Sequence, residues 1–279
     1  MGIDLTKRLA IISWPLVLLI RATDKRHYKY TKENKMIIQG DCLEIMQNMD
    51  ADNFGGVITD PPYCSGGATG SAKSQSTTKK YMTTKGISLI NNPKSFLGDN
   101  KDSHSFMTWS AEWMRQAYRL CSDGSPILVF TDWRQLPTIS DALQWAGWIW
   151  RGVIAWDKKN SMPHWGRFRQ QAEFIVWGSK GDMSLRRNAP TLPGVFTYPV
   201  VQSVKRQHQT EKPLNLMREL VKIVEPGNRI LDPFAGSGTT MLAALIEGYN
   251  CVGIELSEHY VEMTRKREED WQINQSENN

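Results

Sequence analysis

From Met36 onward the chain alternates short apolar runs with longer amphipathic stretches, and this alternation restricts the fold more than any other feature. Short apolar runs bounded by turn residues predict buried strands, and stretches with apolar residues three and four apart predict helices. A repeated strand–helix order predicts an α/β fold, with a mostly parallel sheet and helices on both faces. Seven runs predict strands: MIIQGD, FGGVITD, SPILVFTD, WRGVIAWDK, AEFIVWGSK, RILD and YNCVGIEL.

Helices are predicted between these strands and after the last one. One helix is expected to begin at Ser110, whose hydroxyl can cap a helix start, and to stop at Gly124. Another is expected to stop at Pro226 and Gly227, because proline and glycine interrupt helices. The helical stretches are CLEIMQNM, SAEWMRQAYRLCSDG, QLPTISDALQWAG, NLMRELVKIVEPGN, MLAALIEG and SEHYVEMTRKREED.

Composition narrows the class of protein. With 279 residues, of which 40% are hydrophobic and 23% charged, the chain can form one large soluble domain. Its net charge of +5 is compatible with a polyanionic partner but does not require one. The four cysteines form no C-x-x-C pair and no histidine cluster accompanies them. This pattern predicts no metal site, no disulfide framework and a cytoplasmic location.

Four segments lie outside the strand–helix pattern. Residues 1–35 contain the apolar run LAIISWPLVLLI, which is too short to span a bilayer and has no signal-peptide cleavage site after it. We therefore expect an N-terminal extension, no export and no membrane association. Residues 64–102 and 183–207 are irregular and contain many basic residues, and residues 271–279 are expected to form a polar tail.

The segment LDPFAGSGTT places a glycine-rich turn between a predicted strand and a predicted helix, an arrangement typical of nucleotide-cofactor cradles. Gly236 and Gly238 allow the backbone to approach a ligand closely. The segment is neither a P-loop nor a complete G-x-G-x-x-G, since Met241 holds the last position. Glu255, at the end of the next strand, can accept hydrogen bonds from both ribose hydroxyls. The alternative is a tight turn next to a surface acid.

The second motif is DPPY, residues 60–63, which directly follows a predicted strand. Pro61 and Pro62 restrict the backbone, so they hold the Asp60 carboxylate and the Pro61 carbonyl in one direction. Two acceptors match an amino group with two N–H donors, and the flat ring of Tyr63 can stack on an aromatic base. The alternative is a rigid surface turn with a capping aspartate.

Together, DPPY, DPFAGSGTT, GIELSEHY and HQTEKP make the chain resemble the S-adenosylmethionine-dependent amino-methyltransferases of DNA. DPPY precedes the cofactor loop, which is the circularly permuted order of the beta class of that family. The stretches DPPYCSGG, FTDWRQLPTISDALQWAGW and FRQQAEFIVWGSKG further resemble phage and prophage adenine methyltransferases. The resemblance runs from Met36 to about Arg267 and implies a Rossmann-like methyltransferase fold with S-adenosylmethionine as cofactor.

The resemblance also implies roles for individual residues. The catalytic set is Asp60, Pro61, Pro62 and Tyr63. In the cofactor set, Glu255 is implied to hold the ribose, Asp41 to lie near the adenine of the cofactor, and Lys212 to lie near its methionine end. The full cofactor set is Asp41, Lys212, Asp232, Pro233, Phe234, Gly236, Gly238 and Glu255. Asp232 has an alternative role as a structural acid that binds backbone amides of the loop.

Basic residues on the irregular segments predict contacts with DNA phosphates, which provide affinity without sequence specificity. Solvated loop residues are the alternative. Most tryptophans are expected in the core, but Trp165 lies beside arginines and is a candidate for stacking. The predicted DNA contacts are Lys79, Lys80, Trp165, Arg167, Arg186, Arg187, Lys205 and Arg206.

The resulting interpretation is methyl transfer from S-adenosylmethionine to N6 of an adenine flipped out of double-stranded DNA. N4 of cytosine presents the same two N–H donors and is the nearest alternative, followed by an RNA or protein amino-methyltransferase. A catalytically silent nucleic-acid-binding module and a nicotinamide-dependent dehydrogenase come from other classes. A homodimer and a cognate restriction endonuclease are left open.

The same interpretation divides the chain into functional segments. One catalytic domain is expected over residues 36–270. Within it, residues 36–182 form the half that carries DPPY, residues 183–207 form a short target-recognition segment, and residues 208–270 form the cofactor-binding half.

Overall fold

The architecture is described from a computed structural model, over residues 37–51, 53–63, 103–159, 165–201 and 211–277. In chain order the elements are β1 (Ile37–Gln39), α1 (Cys42–Gln47), β2 (Gly56–Thr59), α2 (Ser103–Leu120), β3 (Pro126–Thr131), α3 (Leu136–Trp145), β4 (Ile149–Asp157), β5 (Ala172–Ser179), β6 (Val195–Thr197), α4 (Leu214–Val221), β7 (Arg229–Asp232), α5 (Thr239–Ile246), β8 (Asn250–Glu255) and α6 (Glu258–Glu277).

The strands form one mixed sheet with the order β1-β8-β7-β2-β3-β5-β4-β6. The first five strands in this order run parallel, and β5 runs antiparallel to both of its neighbours, β3 and β4. The α/β class and the mostly parallel sheet are therefore confirmed.

Over the described residues the sheet has eight strands, so the predicted number of seven is wrong. The additional strand is β6, which lies within the segment 183–207 and pairs with the end of β4. Its three residues, Val195–Thr197, are too few to show a periodic pattern, and pairing with β4 defines it.

Helices cover both faces of the sheet, as predicted. The central strand β3 is buried throughout, and its successive side chains point to opposite faces. Ile127 and Val129 pack in one core with α1, α2 and α3, whereas Leu128 and Phe130 pack in the other core with α4, α5 and α6. This arrangement explains why SPILVFT is apolar without alternation: neither face meets water.

Several predicted helix boundaries are wrong. Helix α2 ends at Leu120 and not at Gly124, and helix α4 ends at Val221, before the predicted stop at Pro226 and Gly227. Helix α2 begins at Ser103 and not at Ser110, because apolar contacts from Phe106 and Trp109 extend the packed face by two turns toward the N-terminus. Ser110 is therefore a fully buried position in the middle of the helix. Helix α6 continues to Glu277, so most of the predicted polar tail is helical, since no glycine or proline interrupts residues 271–277.

The parallel strands bring their carboxyl ends to one edge of the sheet, which we call the acidic edge. An acid lies at or just past the end of each strand there: Asp41 after β1, Glu255 in β8, Asp232 in β7, Asp60 after β2 and Asp132 after β3. Ligands of open α/β sheets bind at this edge. Among the described helices, none is both long and apolar enough to cross a membrane.

Candidate active site

The DPPY segment lies at the centre of the acidic edge, and both oxygens of its carboxylate accept hydrogen bonds. The Tyr63 hydroxyl donates to Asp60 Oδ1 at 2.6 Å, and the Lys212 ammonium donates to Asp60 Oδ2 at 2.7 Å. Lys212 also donates to the Tyr63 hydroxyl at 3.0 Å. The Asp60 side chain is 23% exposed and Lys212 only 7%, so the carboxylate is reachable from solvent while the lysine lies beneath it.

A second carboxylate contacts this lysine. Strand β5 starts at the acidic edge, because its Phe174 pairs with Thr131 at the end of β3, and Glu173 is the preceding residue. Glu173 Oε2 lies 3.3 Å from Lys212 Nζ, and Glu173 Oε1 lies 3.2 Å from Lys158 Nζ. Sequence reasoning missed Glu173; the available signal was an acid in the otherwise apolar run AEFIVWGS.

The electrostatics of the cluster keep Lys212 and Glu173 charged. Burial lowers the pKa of Lys212, but the carboxylates of Asp60 and Glu173 outweigh it and hold that pKa above its ordinary value. Burial would raise the pKa of Glu173, yet Lys212 and Lys158 hold it below its ordinary value. Burial raises the pKa of Asp60 even against Lys212.

Tyr63 remains a neutral donor in this cluster. Burial, followed by the charges of Asp60 and Glu173, raises the pKa of the Tyr63 hydroxyl well above its ordinary value. Its ring lies under the Lys212 ammonium, with Nζ 5.3 Å from the ring centroid. Of the other two residues of the motif, Pro61 is buried and Pro62 is partly buried.

Lys212 is placed by the segment just before α4, where Pro213 is the last residue before the helix. The sequence implied a position near the methionine end of the cofactor. In the structure the contacts of Lys212 are with the DPPY motif and Glu173. Its described neighbours therefore connect it to the predicted catalytic residues, and its contact with the cofactor stays a prediction.

Asp132 also lies at this edge and was not among the predicted site residues. Its Oδ1 accepts from the backbone N–H groups of Arg134 and Gln135, and its Oδ2 accepts from the Arg134 guanidinium. It shares the strand-end signal of the other four acids. These contacts make it a capping and ion-pairing group at the start of α3.

The glycine loop between β7 and α5 forms the cradle to the side of this cluster. Asp232 is 1% exposed and accepts from the Thr59 hydroxyl at 2.6 Å and from the Phe234 N–H at 3.1 Å. It therefore joins the β2 and β7 ends and shapes the loop, which is the structural role considered from sequence. Pro233 is buried in the same turn.

Glu255 closes the cradle from the neighbouring strand. Its Oε2 accepts from the Gly236 N–H at 2.9 Å, and its Oε1 accepts from the Ser257 N–H at 2.8 Å. Each carboxylate oxygen can accept more than one hydrogen bond, so both remain able to accept from a ligand hydroxyl. Gly236 and Gly238 have φ values of 52° and 79°, a left-handed conformation that glycine adopts without strain.

The remaining cofactor candidates flank this loop. Phe234 packs against Trp109 and Trp113 of α2, with ring centroids 5.3 Å and 5.2 Å apart. Asp41 is exposed, and its Oδ1 caps α1 by accepting from the N–H groups of Leu43 and Glu44. The carboxylates of Glu255 and Asp41, the glycine turn and the ring of Phe234 have the chemistry that an adenosine group requires.

The comparison with protein families shows to which family the chain belongs. Residues 55–266 match the model of the N6/N4 methyltransferases, described as DNA methylase. The chain belongs to this DNA methylase family. The predicted family of DNA amino-methyltransferases and the predicted enzyme class, a DNA methyltransferase, are thereby confirmed, while the beta class and the phage origin stay predictions.

Individual relatives agree with this assignment. The chain is 24% identical to the type II methyltransferase M2.MboI of Moraxella bovis over 267 residues, which cover 87% of this chain and 90% of the relative. Among solved structures, the complex of M1.HpyAVI with SAM has a TM-score of 0.58 and 26% identity, covering 83% of this chain and 98% of that one.

A third comparison is with a solved structure of lower sequence identity. The PvuII DNA methyltransferase, described as cytosine-N4-specific, has a TM-score of 0.61 and 15% identity, covering 82% of this chain and 84% of that one. At this identity the likeness shows the fold alone, and it confirms the Rossmann-like methyltransferase architecture.

The predicted DNA contacts of the methylase occupy different environments. Trp165 is 99% exposed on the β4–β5 connection, which lies at the acidic edge, and Arg167 is exposed beside it. Arg186 is also exposed. Phe168, 93% exposed on the same connection, was missed from sequence although it lies between two arginines. Four predicted contacts lie outside the described residues: Lys79, Lys80, Lys205 and Arg206.

Arg187 differs from these residues. Its guanidinium donates to the Ile223 carbonyl at 2.7 Å and lies 3.4 Å from the Glu225 carboxylate, and its side chain is 13% exposed. These contacts attach the segment after β5 to the residues that follow α4. These contacts give Arg187 a packing role, and its contact with DNA stays a prediction.

Proposed function

We propose that this methylase transfers a methyl group to N6 of adenine in double-stranded DNA. The cofactor is S-adenosylmethionine, which supplies a sulfonium methyl group that is already activated for transfer. The observation that supports an amino group as the target is the Asp60 carboxylate at the carboxyl end of β2, where an ammonium N–H donor now occupies Oδ2. A nucleobase amino group is a donor of the same kind.

The chain's own residues account for the chemistry at the target nitrogen. The lone pair of an aromatic amine is delocalised into its ring, so the amine is a poor nucleophile. Hydrogen bonds from both N–H groups to Asp60 and to the Pro61 carbonyl favour a pyramidal nitrogen with a localised lone pair. As positive charge develops on this nitrogen, the fixed Asp60 carboxylate stabilises it more strongly than it stabilises the neutral amine.

Asp60 supports adenine over cytosine. Family members that act on N4 of cytosine more often carry serine or threonine at this position. The motif order supports the beta class, since DPPY after β2 precedes the glycine loop after β7, and the stretches that resemble prophage enzymes support that origin. The acceptor chemistry is the same for both bases, so product identity is the test.

The β4–β5 connection is proposed to contact the duplex. Trp165 and Phe168 are almost fully exposed, and Arg167 and Arg169 alternate with them at the edge that carries Asp60. Exposed aromatic rings stack on bases, and arginines pair with phosphates. Flipping a base costs a few kcal/mol, which such stacking can offset.

The test is to incubate the purified methylase with unmethylated duplex DNA and S-adenosylmethionine, digest the DNA to nucleosides, and identify the products by mass spectrometry. We expect N6-methyldeoxyadenosine. N4-methyldeoxycytidine would overturn the choice of base but keep the role of Asp60, and no methylated nucleoside would contradict the proposal. Asp60→Ala is the control: it should abolish product while S-adenosylmethionine binding by calorimetry stays close to that of the wild type.

A further inference from the structure

Internal donors occupy both oxygens of the proposed catalytic carboxylate. Tyr63 donates to Oδ1 of Asp60 and Lys212 donates to Oδ2. The Lys212 ammonium thus donates to an oxygen that the proposed target amino group would also use. Oδ2 can accept a second hydrogen bond, but the N–H groups of an incoming amino group carry partial positive charge and are repelled by the adjacent ammonium. The amino group therefore binds best if the lysine gives up its hydrogen bond, and the lysine then needs another acceptor because it is buried and charged.

The structure offers such an acceptor. Glu173 Oε2 lies 3.3 Å from Lys212 Nζ, is buried, and receives no hydrogen bond of normal geometry in the described part of the chain. The other oxygen of Glu173 is paired with Lys158, so the carboxylate stays in place. A small movement of the flexible lysine side chain is enough to convert the ion pair into a hydrogen bond.

We propose that Glu173 is a positioning residue for methyl transfer: it receives the Lys212 ammonium that the target amino group displaces from Asp60. This inference rests on the proposed function, because it requires an amino group as the target. Before a target base binds, Lys212 takes the place of that amino group at Asp60 Oδ2. In the complex Lys212 is paired with Glu173, and Asp60 Oδ2 is available to the base.

Charge balance during the reaction gives Glu173 a second effect. The target nitrogen becomes positively charged as the methyl group arrives, and the Lys212 ammonium is nearby. The two positive charges repel each other in a buried site, where such interactions are weakly screened. The negative charge of Glu173 balances the positive charge of Lys212. The negative charge of Asp60 then serves mainly to stabilise the target nitrogen.

The experiment measures how much the amino group itself contributes to binding. The recognition sequence is first located by mapping the modified bases in DNA treated with wild-type enzyme. Duplexes with either adenine or purine at the target position are then bound in the presence of S-adenosylhomocysteine. Purine lacks only the amino group, so the ratio of the two dissociation constants reports the contacts of that group with Asp60 and the Pro61 carbonyl, and no turnover is required. The weaker base pair of purine affects every variant equally, so the comparison between variants cancels it.

We expect Glu173→Gln to reduce the preference for adenine over purine by about 10- to 100-fold, as for loss of a hydrogen bond to a charged group. In a Lys212→Met background no ammonium has to be displaced, so Glu173→Gln should leave the preference unchanged. Glu225→Gln, which removes the charge of a more exposed ion-paired glutamate outside the site, is the control and should not change the preference.

The outcomes separate the inference from the proposed function. Equal loss of preference in both backgrounds, or no loss in the wild-type background, would overturn the role of Glu173. Equal loss of affinity for adenine and purine would show a merely structural role and would overturn it as well. If nucleoside analysis finds methylated cytosine, the same variants are compared on duplexes with cytosine or 2-pyrimidinone at the target position. A wild-type enzyme without any preference for the amino group would contradict the proposed function itself.

Discussion

At the residue scale, carboxylates with the same strand-end position have different neighbours. Asp60 accepts hydrogen bonds from the side chains of Tyr63 and Lys212, whereas Glu255 accepts from the backbone N–H groups of Gly236 and Ser257. A carboxylate held by backbone groups has a fixed orientation and free lone pairs, which suits ligand hydroxyls. This difference supports the proposal that the first site binds the target amine and the second binds the cofactor.

Glu255→Ala should weaken cofactor binding at least about tenfold, because hydrogen bonds from ribose hydroxyls to a charged group are lost. The measurement is calorimetry with S-adenosylhomocysteine and with its 2′-deoxyribose analogue. The wild type should prefer the ribose form, and the variant should bind both forms equally weakly. A variant that still distinguishes the two ligands would contradict the assignment of Glu255 to the ribose.

Asp232 makes stability depend on pH. Burial raises its pKa from 3.8 to about 6, against the lowering effect of hydrogen bonds from Thr240 and Thr59. The folded state thus holds this proton more tightly than the unfolded state. The contribution of Asp232 is fully present below about pH 4 and is lost as the pH rises through about 6, a loss of about 3 kcal/mol.

Asp232→Asn should remove this dependence, since asparagine does not titrate. Urea unfolding between about pH 4 and about pH 7 should show the free energy of unfolding of the wild type falling relative to that of the variant. Taking the difference between the two proteins cancels groups that titrate equally in both. A constant difference across this range would mean that the pKa of Asp232 is not raised.

At the element scale, the cofactor loop is packed against the last helix. Arg267 of α6 donates to the Ser237 carbonyl at 2.9 Å and to the Glu211 carboxylate at 3.1 Å. Helix α6 thereby connects the glycine loop to the segment that carries Lys212. This contact links the proposed cofactor loop to the proposed amino-group site.

Gly238 is a sensitive point of this packing. Its φ is 79°, and an added Cβ would lie 2.5 Å from Thr264 Cγ2 of α6. Gly238→Ala should lower the free energy of unfolding by about 1–2 kcal/mol for the left-handed backbone and by about 1–3 kcal/mol more for overpacking.

Gly227→Ala is the matched control, because Gly227 has a φ of 85° with nothing within 4 Å of an added Cβ. Its free energy of unfolding should fall only by the contribution of the left-handed backbone. Urea unfolding of both variants measures the difference. Equal losses in free energy of unfolding would show that Thr264 moves away from the added Cβ at no energetic cost.

At the scale of the whole molecule, the exposed aromatic residues lie at two ends of the sheet. Trp165 and Phe168 are at the acidic edge, whereas Trp145, 70% exposed, ends α3 at the opposite edge. A net charge of +5 attracts DNA only weakly, so aromatic stacking should contribute a measurable part of the affinity for duplex DNA.

Trp165→Ala should weaken duplex binding by about 1–3 kcal/mol, the range for one base–aromatic stack. Trp145→Ala removes an equally large exposed ring from the opposite edge and should leave binding unchanged. Fluorescence anisotropy with labelled duplex at fixed salt concentration measures both variants. Similar losses in the two variants would point to non-specific aromatic contacts and contradict the proposed interface.

Local sequence patterns predicted the α/β class, most elements and the two motifs of the site. Buried strands such as PILVFT are continuous apolar runs, and Pro-Pro and Gly-x-Gly restrict or free the backbone wherever they occur. The start of α2 and the three-residue strand β6 were not predictable in this way. Packing of Phe106 against the core and pairing with β4 define them, and neither leaves a local signal.

The sequence by itself determined that the strand ends carry acids, that DPPY presents an acceptor, and that the loop after β7 is a cradle, because these properties depend on neighbouring residues. Only the tertiary structure decided the partners of these groups. Lys212 reaches Asp60 across 152 positions of the chain, and the antiparallel direction of β5 brings Glu173 to the same edge. Such contacts arise from strand order and direction, which no short stretch of sequence encodes.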